Sequence, residues 1–161
     1  MDFDESLASG PHARLAAMVG DWEGSASLWF EPGDPTAVEE IRLRAEAVAG
    51  GRSLRLTYES AMNGTPSTGE LLLAYHLDGS TWQAAWSDSS HTGTLLMTFD
   101  GPGGPGDVPL LKGSYAAGDV TWGWHITFSL EDDELLVTHL NVIPDVGPLP
   151  GLEWRMRRVD A

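Results

Sequence analysis

From residue 20 onward the chain alternates between apolar and polar positions with a period of two, broken at intervals by short runs of glycine, proline, asparagine and aspartate. Trp22, Ala26 and Leu28 fall on one side of the first stretch, and Glu23, Ser25 and Ser27 on the other. This is the pattern of a strand with one buried face. On that phase Phe30 turns inward with its neighbours and Trp29 turns outward. The alternation recurs in Ile41, Leu43 and Ala45, in Leu54, Leu56 and Tyr58, in Leu71, Leu73 and Tyr75, and in Trp82, Ala84 and Trp86. Further strands are expected over residues 94–99, 110–116, 121–130, 134–142 and 152–159.

Turn chemistry separates these segments. Asn63-Gly64 suits a type I′ hairpin, whose two central residues both need positive φ, and Gly50-Gly51, Asp78-Gly79 and the acidic run 131–134 mark other reversals. Residues 101–106, rich in glycine and proline, are expected to form a flexible connection. Pro144, Pro148 and Pro150 are expected to exclude regular pairing ahead of residue 152. Residues 1–9 are polar and expected to be flexible. A short N-terminal helix follows over residues 11–19, with Ser9 as its cap, Pro11 in its first turn and Gly20 as its end.

About ten short strands with hairpin-length turns predict an all-β chain folded as an up-and-down antiparallel β-barrel, in one domain spanning residues 1–161. A sandwich is the competing architecture. Closure into a barrel is preferred because it leaves no strand edge unpaired.

Composition narrows the functional classes. The 161 residues contain 24 acidic and 9 basic side chains, a formal net charge of -15. That balance repels phosphate backbones and anionic lipid, so neither nucleic acid nor a membrane is an expected partner. The chain has no cysteine, which removes disulfides and thiolate chemistry and fits a reducing compartment. With no apolar segment behind Met1-Asp2-Phe3-Asp4-Glu5-Ser6, a cytoplasmic location is expected. The glycine-rich run around residue 103 lacks the Lys-Ser/Thr of a phosphate loop, and no Gly-x-Ser-x-Gly elbow occurs.

Aromatic side chains at even spacing offer a candidate site. Trp82 and Trp86 share one strand face, as do Trp122 and Trp124. Together with Tyr58, Tyr75 and His139 they are the expected lining of a cavity for a small, mostly apolar molecule. The competing reading is that the same residues are simply core. His139 could orient a ligand, hold a haem iron, act as a base or serve as a hydrogen-bonded structural histidine. Ser87-Asp88-Ser89-Ser90-His91 has the residue types of a hydrolase triad, but neighbours in sequence rarely converge, so it reads as a polar turn. No catalytic set and no metal site is expected. Trp29, out of phase, is the expected mark of a homodimer surface.

Gly20-Asp21-Trp22, entering the first strand after a short helix, resembles the Gly-x-Trp signature of the lipocalin and fatty-acid-binding-protein superfamily, the calycins. Taken with Gly50-Gly51-Arg52-Ser53-Leu54, Gly69-Glu70-Leu71-Leu72-Leu73-Ala74-Tyr75 and residues 82–87, the chain is similar to an uncharacterised bacterial family of lipocalin-like barrels over residues 12–158. The resemblance implies a barrel pocket. It also implies closure between Gly20 and Trp22 at the start and a basic residue of the last strand over the Trp ring, with Arg155, Arg157 and Arg158 as candidates. Nitrobindin-like haem barrels share the architecture, which makes haem on His139 the alternative cofactor reading.

Overall fold

The computed structural model describes residues 1–103 and 108–160. Two helices, α1 (Phe3–Ser9) and α2 (Pro11–Met18), precede ten strands among the described residues. These are β1 (Gly20–Leu28), β2 (Ala37–Val48), β3 (Ser53–Met62), β4 (Thr65–His76), β5 (Thr81–Asp88), β6 (Met97–Pro102), β7 (Leu110–Ala117), β8 (Val120–Glu131), β9 (Glu134–Ile143) and β10 (Gly147–Arg158). Each strand pairs antiparallel with the next, and β10 returns to β1 with Trp22 opposite Arg158 and Leu28 opposite Leu152. The sheet is thus a closed up-and-down barrel, as the alternation and turn spacing predict. Asn63 and Gly64 have φ of 48° and 84°, the positive values that a type I′ turn demands. Among the described residues no helix is long and apolar enough to cross a membrane.

The inward positions form one continuous cluster inside the barrel, including Leu54, Leu56, Leu71, Leu73, Ile126 and Val137. Facing leucines lie in register, Leu54 opposite Leu73 and Leu56 opposite Leu71. Burial of this kind contributes about 25 cal/mol per Å² of apolar surface, and it is the main term holding the barrel together.

Five local expectations are corrected. Residues 1–9 are ordered: Asp2 accepts from the Glu5 backbone N–H while Glu5 accepts from that of Asp2, a reciprocal cap that starts α1. Ser9 therefore ends α1, and Gly10 stands at the α2 cap position with no side-chain bond. The two helices are clasped by buried Ser6, whose hydroxyl bonds His12 Nδ1 at 2.8 Å. Second, β1 stops at Leu28, so Phe30 is 57% exposed while Trp29 is half-buried, its indole N–H donating to the Gly33 carbonyl. Third, β6 runs through Gly101 and Pro102, which pair with Trp82 and Thr81; residues 104–107 of the expected flexible connection lie outside the described residues. Fourth, β10 begins at Gly147 and carries Pro148 and Pro150 within its ladder to β9. Both precede the stretch that pairs with β1, so their missing N–H groups cost the sheet little.

The fifth concerns closure. Arg158 is the cation over Trp22, 4.3 Å from the ring centroid, and its guanidinium also donates to the Val19 and Ala17 carbonyls at the end of α2. Arg155 and Arg157 face outward and pair with Glu134. The alternation explains this: Arg155 and Arg157 take the outer face of β10, while Arg158 follows the inward phase of Trp154 and Met156 and, where the strand ends, folds back over the barrel rim. Gly20 has φ of 144°, and a Cβ there would lie 2.6 Å from the Arg158 Nη1 atom. The glycine thus supplies both the corner and the room for the cation. The helices and Arg158 seal this end, leaving the end with the β1–β2, β3–β4, β5–β6, β7–β8 and β9–β10 turns as the mouth.

Candidate functional site: a polar network at the barrel mouth

The aromatic positions expected to line one cavity divide between the two ends of the barrel. Tyr75 and Trp82 pack edge to face at 4.8 Å toward the sealed end, and Tyr75 donates to the Gly103 carbonyl. Toward the mouth, Trp86 and Trp124 stack at 5.8 Å, with His139 5.1 Å from Trp86. Trp122 keeps the inward phase but is only half-buried, edge-on to Tyr115 at 6.3 Å. Trp22, Trp82 and Trp86 are fully buried, and the wall residue Trp154 adds contacts of 4.5 Å to Tyr58 and 4.7 Å to His139.

The register brings a further residue into this cluster. Tyr58 on β3 stands opposite Gly69 on β4, and Gly69 stands opposite Asp88 on β5. Two inter-strand steps separate Tyr58 from Asp88, about 9.6 Å at the usual spacing, and a side chain on the middle strand would block the path. A Cβ at Gly69 would lie 2.2 Å from the Tyr58 hydroxyl. Without it, the ring lies across the glycine and donates its O–H to Asp88 Oδ2. Trp86 Nε1–H donates in turn to the Tyr58 oxygen at 2.9 Å.

Asp88 closes the network at the end of β5. Its Oδ1 accepts the backbone N–H of Ser90 and of His91, each at 2.6 Å, and the His91 ring bonds through Nδ1 at 3.1 Å. Burial by itself would raise the Asp88 carboxyl. The hydrogen bonds from His91 and Tyr58 and the proximity of the His91 ring outweigh it and hold the group at about 2. The Tyr58 hydroxyl is pushed far up by burial and by the Asp88 charge beside it, so it remains a donor. What reads in sequence as a polar turn is therefore an anchored loop: Asp88 N–H donates to Thr92 Oγ1, and Ser89 N–H donates to the Thr68 carbonyl.

His139 is fully buried, and burial, with a smaller contribution from His91, lowers it to about 3. A neutral ring has one lone pair, and Trp124 Nε1–H occupies it at Nδ1, 3.0 Å away. The Nε2–H makes no hydrogen bond and lies in a ring packed by Trp86 and Trp154. This arrangement does not fit an axial haem ligand. Binding iron would take the lone pair from Trp124, and a porphyrin needs the space that the two indoles fill. Among the described residues no group of three or more His, Asp or Glu side chains is placed to hold a metal.

At the mouth lies a recess of about 270 Å³. Apolar Leu28, Trp29, Phe30 and Met62 line it together with Trp124 and the polar residues Ser90, His91 and Asn141. Asp88, His91 and Trp154, absent from the expected site, complete the network. The sequence signal for them was Asp88 followed three positions later by His91, but only the strand register reveals that Tyr58 joins them. No curated protein matches the chain. A family model described as a protein of unknown function, DUF1579, matches residues 8–150, from within α1 to the first residues of β10, and the chain belongs to that family.

Proposed function

We propose that the chain is a lipocalin-like barrel of the calycin type that binds one small, flat, mostly apolar molecule at its open mouth. The observation that carries this reading is the recess of about 270 Å³, lined both by apolar side chains and by Ser90, His91 and Asn141. Pockets for small molecules combine an apolar lining with a few convergent polar groups and span about 300–1,000 Å³. A recess just below that range takes a ligand of one or two rings rather than a long lipid. The deeper barrel contributes rigidity, since its aromatic side chains pack one another.

The test is a titration with apolar aromatic probes, followed by the indole N–H resonances of the protein. Saturable one-to-one binding that moves the Trp29 and Trp124 resonances, and that is lost in Met62→Glu, is the expected result. Absence of saturable binding, or shifts confined to Trp22 at the sealed end, refutes the reading.

A second reading, association of two copies through the open end, is favoured by exposed apolar residues at its loop tips: Phe30 at 57%, Leu96 at 60% and Val146 at 66%. Sedimentation equilibrium tests it. A monomer mass at high protein concentration, unchanged in Phe30→Asp, rules it out.

A further inference from the structure

We propose that the mouth site selects planar aromatic molecules carrying a hydroxyl, phenols in the broad sense, and that His91 Nε2 is the acceptor of that hydroxyl's proton. The proposal rests on the mouth-binding reading above and adds the chemical class of the ligand.

The argument begins with Asp88. Its carboxylate only accepts hydrogen bonds, and its Oδ1 faces the His91 Nδ1 atom at 3.1 Å. The proton of the neutral imidazole is therefore fixed on Nδ1, and the lone pair falls on Nε2. This is the arrangement by which a carboxylate sets the tautomer of a histidine. The backbone bonds from Ser90 and His91 to the same oxygen pin the loop, so the ring is held from two directions. His91 Nε2 has no hydrogen-bond partner among the described residues, and the side chain, 17% exposed, borders the recess.

The second polar group of the lining differs in sign. Asn141 Oδ1 already accepts the Tyr115 O–H at 2.7 Å, which leaves the Asn141 amide N–H groups to donate. Trp124 lies between the two: it is paired in register with Asn141, and its ring is 6.5 Å from that of His91. Trp124 is also held in place from behind by its bond to His139. A fixed indole is thus flanked by one acceptor nitrogen and one amide donor, with apolar Met62 and Leu28 around them. A ring whose hydroxyl donates to His91 satisfies the acceptor, and the hydroxyl oxygen or a neighbouring carbonyl satisfies the donor. A bare hydrocarbon would leave both unpartnered on desolvation, at a cost. Asp88 acts here as a positioning residue through His91.

The experiment compares 2-naphthol with naphthalene, equal in ring system and differing in the donor. For the wild-type protein, calorimetric or NMR titration is expected to give about tenfold tighter binding of 2-naphthol, the worth of one hydrogen bond into a desolvated acceptor. In His91→Phe the preference for 2-naphthol over naphthalene is expected to fall to about onefold. The imidazole ¹⁵N spectrum of the wild type supplies a readout independent of the variant's folding: the His91 Nε2 resonance should move on adding 2-naphthol and stay in place with naphthalene. Equal affinity for the two compounds overturns the phenol proposal while leaving the mouth reading intact. Failure of both to bind overturns the mouth reading as well. A preference that survives in His91→Phe, or an unmoved Nε2 resonance, removes His91 from the role.

Discussion

His139 offers the most direct measurement of the cost of the buried polar cluster. In the native protein burial, the largest influence, and the nearby His91 hold its ring neutral down to about pH 3, against an ordinary value of 6.5, with Asp88 opposing weakly. In the unfolded chain the same ring takes a proton as pH falls through about 6.5. Between those values the unfolded state binds a proton that the native state does not, so stability declines as the medium becomes more acidic. At 1.36 kcal/mol per pH unit, His139 alone removes about 2 kcal/mol between pH 7 and pH 5, and about 4 kcal/mol by pH 3. Against a typical total of about 5–15 kcal/mol, the first figure is already a sizeable share. The variant His139→Gln keeps an oxygen that can accept from Trp124 but does not titrate. Urea denaturation followed by tryptophan fluorescence at pH 7, 6 and 5 should show the variant less stable at pH 7, yet losing about 2 kcal/mol less on the way to pH 5. His12, also lowered chiefly by burial, remains in both proteins and cancels in the difference. If both proteins lose the same stability, or if the His139 ring titrates near pH 6.5 in the native NMR spectrum, the reasoning fails.

Tyr58→Phe removes a donor to Asp88 and the acceptor of Trp86 Nε1–H; leaving buried polar groups unpaired should cost about 2–3 kcal/mol in denaturant unfolding, and a neutral result contradicts the network. Gly69→Ala places a methyl where the Tyr58 ring lies; a loss of about 2 kcal/mol is expected from overpacking, together with faster exchange of the Ser90 and His91 amides, and unchanged exchange would show that Tyr58 does not hold the loop. Arg158→Met keeps the stem but removes the cation over Trp22 and the bonds to the end of α2; about 1–2 kcal/mol should be lost, with α2 amides exchanging sooner, and a wild-type midpoint would assign closure elsewhere.

The architecture was legible because each strand pairs with its sequence neighbour, so the period-two pattern and the turns carry almost all of the topology. The failures are equally physical. Helix α1 is hidden by its short length and mixed composition: four of its seven residues are polar, and only the Asp2–Glu5 spacing marks the cap. Pro148 and Pro150 argue against a strand until the limits of β1 show that the ladder on one side ends before them. Trp82, Trp86 and Trp124 were placed inward correctly, yet alternation gives direction and not depth, so it could not separate the sealed-end pair from the mouth cluster. Asp88 and His91 stand so near in sequence that they read as a polar turn. Their third partner comes from 30 positions upstream, through a contact that exists because residue 69 has no side chain.

That last dependence explains why a charged group sits at the edge of a filled core. A carboxylate at Asp88 is costly to bury unless donors surround it, and Tyr58 alone supplies too few. The remaining donors come from the loop after β5, so ionisation of Asp88 and folding of that loop over the mouth require each other. The loop cannot leave without exposing or stranding the charge. The imidazole it carries is consequently held in position by Asp88, and for the proposed ligand such preorganisation would lower the entropy that binding must overcome. On the proposed reading, an anchored loop over packed aromatic rings suits a small rigid ligand, because Trp124 is held by His139 from below and His91 by Asp88 at its side.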